Sequence, residues 1–269
     1  MKQMNKYEHK KVMIEILEYF DKICRKNNIK YSLIGGSLIG AIRHKGIIPW
    51  DDDIDVIMTR ENYKKVIDLL EKNKDQKYRL LTYDTCHNYH FPFAKLININ
   101  TFVIEPQSLT KLNEYGVFID IFFYTNLPNN EKQRIRFVKK IKLLNSLLSR
   151  KKLDFKKESV KQNTLRFLKN VTSYIIGYKT ILKFLNHEYV KAESYNSDYV
   201  VSNWPIYRIE QEIQLKKSIN NYINTKFENH NIMIFEDYDL ILRTTFDNYM
   251  KVPSLENQIS HGLKAFWRQ

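Results

Sequence analysis

The sequence predicts an α+β fold: a mixed β-sheet flanked by helices, with a mostly helical C-terminal half. Short apolar runs of strand length crowd the first half and culminate in the nearly unbroken "GVFIDIFFY" of 116–124. From 131 onward helical periodicity takes over. The order of elements is not a regular strand–helix alternation, so a doubly wound parallel sheet is not expected. A chain of 269 residues with 43% hydrophobic content can bury one sizeable core, or one core and a smaller lobe.

The elements follow in order. Residues 7–27 form a helix with Val12, Ile16, Tyr19, Phe20 and Ile23 on one stripe, ended by Asn27-Asn28. "YSLIG" (31–35) is a short strand, Gly35-Gly36 a sharp turn, and Ser37 the cap of a short helix over 38–44. "GIIPW" is a loop, "DIDVIM" (53–58) a strand and 60–72 a helix. Short strands are expected near 78–83, 92–97 and 101–105, before the central one at 116–124. A helix over 134–149 sets Phe137, Val138, Ile141, Leu144, Leu147 and Leu148 on an apolar face opposite its Lys/Arg face. A second helix spans about 161–186, a hairpin lies at 226–235 around "ENHN", and a last helix runs over 236–250 until Pro253.

Two distant cysteines, Cys24 and Cys86, form no disulfide framework, and the start of the chain has no apolar leader core. No apolar run approaches the ~20 residues that cross a bilayer. A cytoplasmic protein is expected. The net charge of +14 is uneven: residues 131–170 hold 14 Lys/Arg against 3 Asp/Glu. The remainder is close to neutral, so one concentrated basic region awaits an anionic partner.

The chemistry is densest in "GGSLIGAIRHKGIIPWDDDIDV", 35–56. On a strand, Asp53 and Asp55 project to one side while Ile54 and Val56 face the core. Two carboxylates so close need a counter-charge, and an all-oxygen site suits Mg²⁺ or Mn²⁺. Asp51 and Asp52 fit a solvated acidic turn as well as a site. Asp120 stands among apolar neighbours in "VFIDIFF", where an unpaired charge costs several kcal/mol. It is therefore paired, a cation ligand or a proton-handling group. Backbone N–H groups of Gly35, Gly36 and Ser37, opening onto a helix, make a phosphate cradle. Arg43, His44 and Lys45 suit a second phosphate or the charge of a leaving group.

The glycine turn with Asp53-x-Asp55 and the later Asp120 resembles the nucleotidyltransferase fold. The longer string through "DVIMTRENY" resembles the signature of the LicD family of phosphotransferases, which includes the fukutin-related proteins. The likeness continues at "HFPFAKL" (90–96) and "GVFIDIFFYTNLP" (116–128), and returns at "YDLILRTTFDNYMKVP" (238–253). Between about 130 and 225 it is thin. Two departures stand out: Ser37 where members often carry Thr, and Phe246-Asp247-Asn248-Tyr249 where they often carry Tyr-Gly-Asp-Tyr.

The resemblance implies a catalytic core over 1–130 and a basic helical lobe over 131–269 that completes the same unit. It implies transfer of a phospho-alcohol from a CDP-alcohol donor, CDP-choline above others, to a sugar hydroxyl of a cell-envelope glycan (lipopolysaccharide, teichoic acid or capsule) or a lipid-linked precursor. CMP leaves. Asp53 and Asp55 then hold the cation against the diphosphate, Asp120 is a further ligand or the base, and Arg43, Lys45 and Lys95 neutralise phosphate oxygens. With a lipid-linked acceptor, residues 132–169 have a purpose: contact with an anionic leaflet at the inner face of the membrane.

Three rival readings exist. A nucleotidyltransferase that consumes an NTP shares the turn and carboxylates. A nucleic-acid-binding protein fits the charge, but not four aspartates lying apart from basic helices, so no nucleic-acid partner is expected. Zinc at Cys86, His87 and His90 lacks a fourth ligand nearby. His261 is the one distant group singled out as able to reach the carboxylates.

Overall fold

The structure, a computed structural model, describes residues 1–73, 75–105, 115–149, 152–155 and 159–268. The chain opens with β1 (Lys2–Gln3) and α1 (Lys6–Lys26). Asn5 starts α1 with a capping box: its side chain accepts the Glu8 N–H, and the Glu8 carboxylate accepts the Asn5 N–H, both at 2.9 Å. Val12, Ile16 and Phe20 turn inward from α1 and are buried.

β2 (Ser32–Leu33) precedes α2 (Gly35–Ile39), which runs on as a π-helical turn over Gly40–His44. β3 (Asp55–Thr59) leads into α3 (Arg60–Lys72), started by the Thr59 hydroxyl accepting from Asn62 N–H. β4 (Tyr78–Leu81), β5 (Ala94–Asn98), β6 (Thr101–Ile104) and β7 (Phe118–Asn126) follow. Then come α4 (Glu131–Leu148), α5 (Val160–Ile176), α6 (Tyr178–Glu193) and β8 (Tyr199–Ser202). The chain continues with α7 (Ile209–Glu212), β9 (Gln214–Leu215), β10 (Tyr222–Phe227) and β11 (His230–Phe235). It ends with α8 (Tyr238–Phe246) and β12 (Lys264–Trp267).

The main sheet runs β2-β3-β7-β5-β4, with β8 paired to β7 and β9 to β8. β3 and β7 are parallel, and the other pairs are antiparallel, so the sheet is mixed. The α+β expectation holds. β7 is central because seven consecutive residues of "FIDIFFYTN" are buried, which only a strand covered on both faces can satisfy. One core cluster joins α1 to the sheet through Phe20, Val56, Ile119 and Ile121. A second joins Phe123 of β7 to Val138 and Ile141 of α4 and to Leu185 and Tyr189 of α6. Asn203 links these layers: it accepts the Phe123 N–H, donates to Pro92 O, and its carbonyl accepts from Asn145 and Tyr189.

Several expected elements shift. The helix expected over 161–186 divides into α5 and α6, because Gly177 takes φ 78° between them. The last helix stops at Phe246, where Asp247 adopts φ 57°. The strand expected from 53 starts at Asp55. Ser37 caps nothing: α2 already begins at Gly35, with Ile34 in the cap position. The expected hairpin is β10–β11, turned by Glu228 at φ 53°.

Candidate active site

Strand register builds the site. Asp55 on β3 is the partner of Asp120 on β7, and Lys95 on β5 is the partner of the same Asp120 from the other side. Directly paired residues project to one face of a sheet. The three side chains therefore form a row across three strands, and all three line a cleft of about 950 Å³. Gly35, Gly36, Asp51 and Asp53 line it too.

Lys95 and Asp120 form a buried ion pair, and the Lys95 ammonium lies 3.5 Å from the centroid of the Phe118 ring. Burial pushes the Asp120 carboxyl up to about 6, against the pull of Lys95. Asp53 is pushed up to about 7, first by burial and then by the charge of Asp51. Asp55 is held well above the usual carboxylate range by burial and by Asp53 and Asp120, and burial raises Asp51 as well. These are carboxylates crowded out of water with too little positive charge among them.

His261 approaches them from the C-terminal segment: its Nε2 is 3.2 Å from Asp53 Oδ2. Asp51, Asp52, Asp53 and His261 bring possible ligand atoms within 4.8 Å of one another. Asp52 already has other work, since its oxygens accept the backbone N–H groups of His261 (3.1 Å) and Leu263 (2.9 Å). Asp53 belongs both to this cluster and to the cleft that holds Asp55 and Asp120. Hard oxygen donors in excess of nearby cations are what a divalent Mg²⁺-type ion requires, so the donor set fits one.

The other singled-out residues sit as follows. Ser37 is buried outside the cleft lining, and its hydroxyl accepts the Asp55 N–H at 2.9 Å, fixing the start of β3. At Gly36 an added Cβ would stand 2.6 Å from Asp51 Oδ2, so the glycine lets that carboxylate lie against the turn. Arg43 turns away to donate to the carbonyls of Tyr249 (2.6 Å) and Lys251 (3.1 Å). His44 meets Trp50 edge-on at 5.8 Å, and the Lys45 carbonyl accepts the Glu228 N–H at 2.7 Å. Arg43, His44 and Lys45 are absent from the described lining of the cleft. Of the Cys86-His87-His90 run, His90 stacks on Tyr178 at 4.2 Å and none joins the candidate metal cluster among the described residues.

One expectation is overturned. The basic helices do not stand apart from the aspartates: Lys142 of α4 and Arg166 and Lys169 of α5 line the same cleft. Helical periodicity showed two faces on the helix over 134–149 but not which neighbour they meet. Arg150, Lys151, Lys156 and Lys157 lie outside the described residues. Sequence reasoning also missed the aromatic wall. Phe91, Phe93, Phe122 and Trp204 line the cleft, with Phe93 at 5.0, 4.5 and 5.3 Å from the other three rings. Trp204 follows β8, whose pairing with β7 left no local signal.

An acidic cleft with a charge-paired lysine at the centre of a mixed sheet is a site for phosphate chemistry. A family model described as LicD/FKTN/FKRP, nucleotidyltransferase domain, matches residues 28–173. The chain is 32% identical over 269 residues to the lipopolysaccharide cholinephosphotransferase LicD of Haemophilus influenzae, covering 98% of both chains. It is 37% identical over 116 residues to an uncharacterized protein of Rickettsia typhi, covering 42% of this chain and 36% of that one. The chain belongs to the LicD family, and it is a transferase of phosphate-containing groups.

Proposed function

We propose that this enzyme moves phosphocholine from CDP-choline to a sugar hydroxyl of a cell-surface glycan or its lipid-linked precursor. The observation that carries this is that the Asp55–Asp120–Lys95 row shares one cleft with an aromatic wall. The full-length likeness to a protein named for cholinephosphate transfer to lipopolysaccharide supports the same group and acceptor class. A quaternary ammonium is drawn to aromatic faces, and Phe122 and Trp204 flank Phe93 there. A cleft of about 950 Å³ is within the range of small-molecule sites.

Asp53 and Asp55 would hold Mg²⁺ or Mn²⁺, which would supply positive charge to neutralise the donor diphosphate and the charge that develops on it. The acceptor oxygen attacks the choline-bearing phosphorus, the bond from that phosphorus to the CMP oxygen breaks, and CMP leaves. Asp120, kept ionised by Lys95, takes the hydroxyl proton; a base near neutral pKa is suited to that task. Gly35 and Gly36 let the donor phosphates approach the backbone. The enzyme works on the cytoplasmic side of a membrane, with the basic residues of α4 and α5 that do not line the cleft toward anionic lipid. Among the described residues, no helix is long and apolar enough to cross a membrane.

The test is melting with Mg²⁺ against CDP-choline, CDP-ethanolamine, CDP-glycerol, CDP-ribitol and CTP, followed by CMP release onto a glycan acceptor. A shift with CDP-choline that Asp55→Asn abolishes, together with CMP release, is expected. A shift with CTP alone, with pyrophosphate as the product, means an NTP-dependent nucleotidyltransferase instead.

A further inference from the structure

α5 is built inside out. Its polar residues Asn163, Arg166, Asn170 and Ser173 recur at helical spacing on the side toward the protein, and Asn163 and Ser173 are each only 1% exposed. Gln162, Arg166, Lys169 and Asn170 line the cleft. The opposite stripe is apolar and faces solvent: Val160, Phe167, Leu168, Val171, Tyr174 and Ile175, with Phe167 at 53%, Tyr174 at 79% and Ile175 at 76%. A helix on a globular protein turns its apolar stripe toward the core. Here the core side is polar because it is the wall of a cleft, and the apolar side is left facing out. A contiguous exposed stripe of this kind marks a contact surface.

The charge on the same elements selects the partner. Exposed Lys161 on α5 and exposed Lys179 and Lys183 on α6 accompany the stripe, in a sequence whose residues 131–170 carry 14 Lys/Arg against 3 Asp/Glu. A second copy docked on this face would bring two strongly basic surfaces together. An anionic leaflet satisfies both features, taking the apolar stripe into its acyl boundary and the lysines among its headgroups. We propose that α5 is an interfacial helix that lies in the surface of an anionic membrane, with Phe167, Leu168 and Ile175 inserted. The contact is then not electrostatic alone, and part of it survives high salt. Because the inner face of α5 is a wall of the cleft, the membrane lies beside the site. A lipid-linked acceptor reaches the aspartates from that side, a consequence that rests on the phosphotransferase reading, whereas the docking does not.

The full chain is floated with vesicles of phosphatidylcholine alone, and of phosphatidylcholine with phosphatidylglycerol, at low and high salt. Flotation is expected with the anionic vesicles, with a fraction retained at high salt. Combining Phe167→Asn, Leu168→Asn and Ile175→Asn is expected to lower partitioning about tenfold or more and to remove the salt-resistant fraction. All three side chains are exposed, so the melting temperature and Mg²⁺-dependent CDP-choline binding are expected to stay unchanged, which separates failure of docking from failure of the catalytic reading. A reporter variant, Phe167→Trp, is expected to shift its emission to the blue with anionic vesicles. No flotation at low salt, or equal flotation of the triple variant, overturns the proposal. So does a dimer in sedimentation that the triple variant converts to monomer, since the stripe would then be covered by a second copy.

Discussion

Asp55 and Asp120 are register partners on adjacent parallel strands, and Lys95 stands opposite Asp120 on the next strand. One buried cation thus answers a row of two carboxylates, with Asp53 and Asp51 close behind in the same cleft. The imbalance is the main physical fact of the site, and its consequences are measurable.

The first concerns pH. Asp53 rises from an unfolded value near 3.8 to about 7, and Asp120 to about 6, with burial the leading cause in both. Between those limits the native state binds more protons than the unfolded chain. The favourable contribution is fully present below the unfolded value and is lost as pH rises through the folded ones. The cation-free protein is therefore expected to melt higher near pH 5 than near pH 8, with a difference on the order of a few kcal/mol. Mg²⁺ is expected to restore stability chiefly at the alkaline end. Calorimetry in chelator and in Mg²⁺ across that range decides it, and a flat or opposite chelator profile contradicts the crowding of carboxylates described above.

The Lys95–Asp120 pair makes a second case. Both side chains are about nine-tenths buried. Lys95→Met leaves Asp120 without its counter-charge, at a cost of about 3 kcal/mol. It also moves the acid limb of the rate profile to higher pH, because Lys95 lowers the Asp120 pKa. Adding Asp120→Asn is expected to recover much of the stability and to abolish the activity that remains. Should the double variant be no more stable than Lys95→Met, the pair is not the source of the loss.

The glycine turn gives a third. Gly36→Ala meets no backbone conflict, since Gly36 is not among the positive-φ residues, but its Cβ would press on Asp51 Oδ2 at 2.6 Å. The melting temperature is expected to stay close to that of the parent while Mg²⁺ affinity and turnover fall about tenfold. Gly35→Ala differs: at φ 60° it is expected to cost about 1 kcal/mol or more of stability outright. Equal effects of the two substitutions on stability and turnover would refute this division.

What could be read beforehand was local. The alternation around Asp55, the apolar setting of Asp120 and the two-faced pattern of α4 are properties of a few consecutive residues, and each pointed to a real strand or helix. The ionic partner of Asp120 was foreseen only as one option among three. The join of β8 to β7 and the aromatic wall depend on chain segments far apart in sequence, where periodicity carries no information, and the approach of His261 was foreseen only as something its chemistry allowed. The outward stripe of α5 was present in the letters. Its sense was not, because a hydrophobic stripe by itself predicts the opposite orientation. Arg43 misled for a related reason: a basic residue beside a phosphate-like turn looks free until the carbonyls of Tyr249 and Lys251 are in place.

Asp52 shows how the same acidic run can divide its labour. It is absent from the described lining of the cleft, and it holds the N–H groups of His261 and Leu263. His261 in turn reaches Asp53. Asp52 is thus a positioning residue that acts through the C-terminal segment. Asp52→Ala is expected to lower turnover about tenfold by releasing His261, and to expose residues 254–263 to limited proteolysis. His261→Ala should produce a similar loss of turnover without the proteolysis. A ligand role predicts something else: Asp52→Ala would then weaken Mg²⁺ binding as severely as Asp53→Asn does. Isothermal titration of Mg²⁺ into the three variants separates the two roles, and a drop in affinity for Asp52→Ala equal to that of Asp53→Asn would move Asp52 from the anchor to the cation.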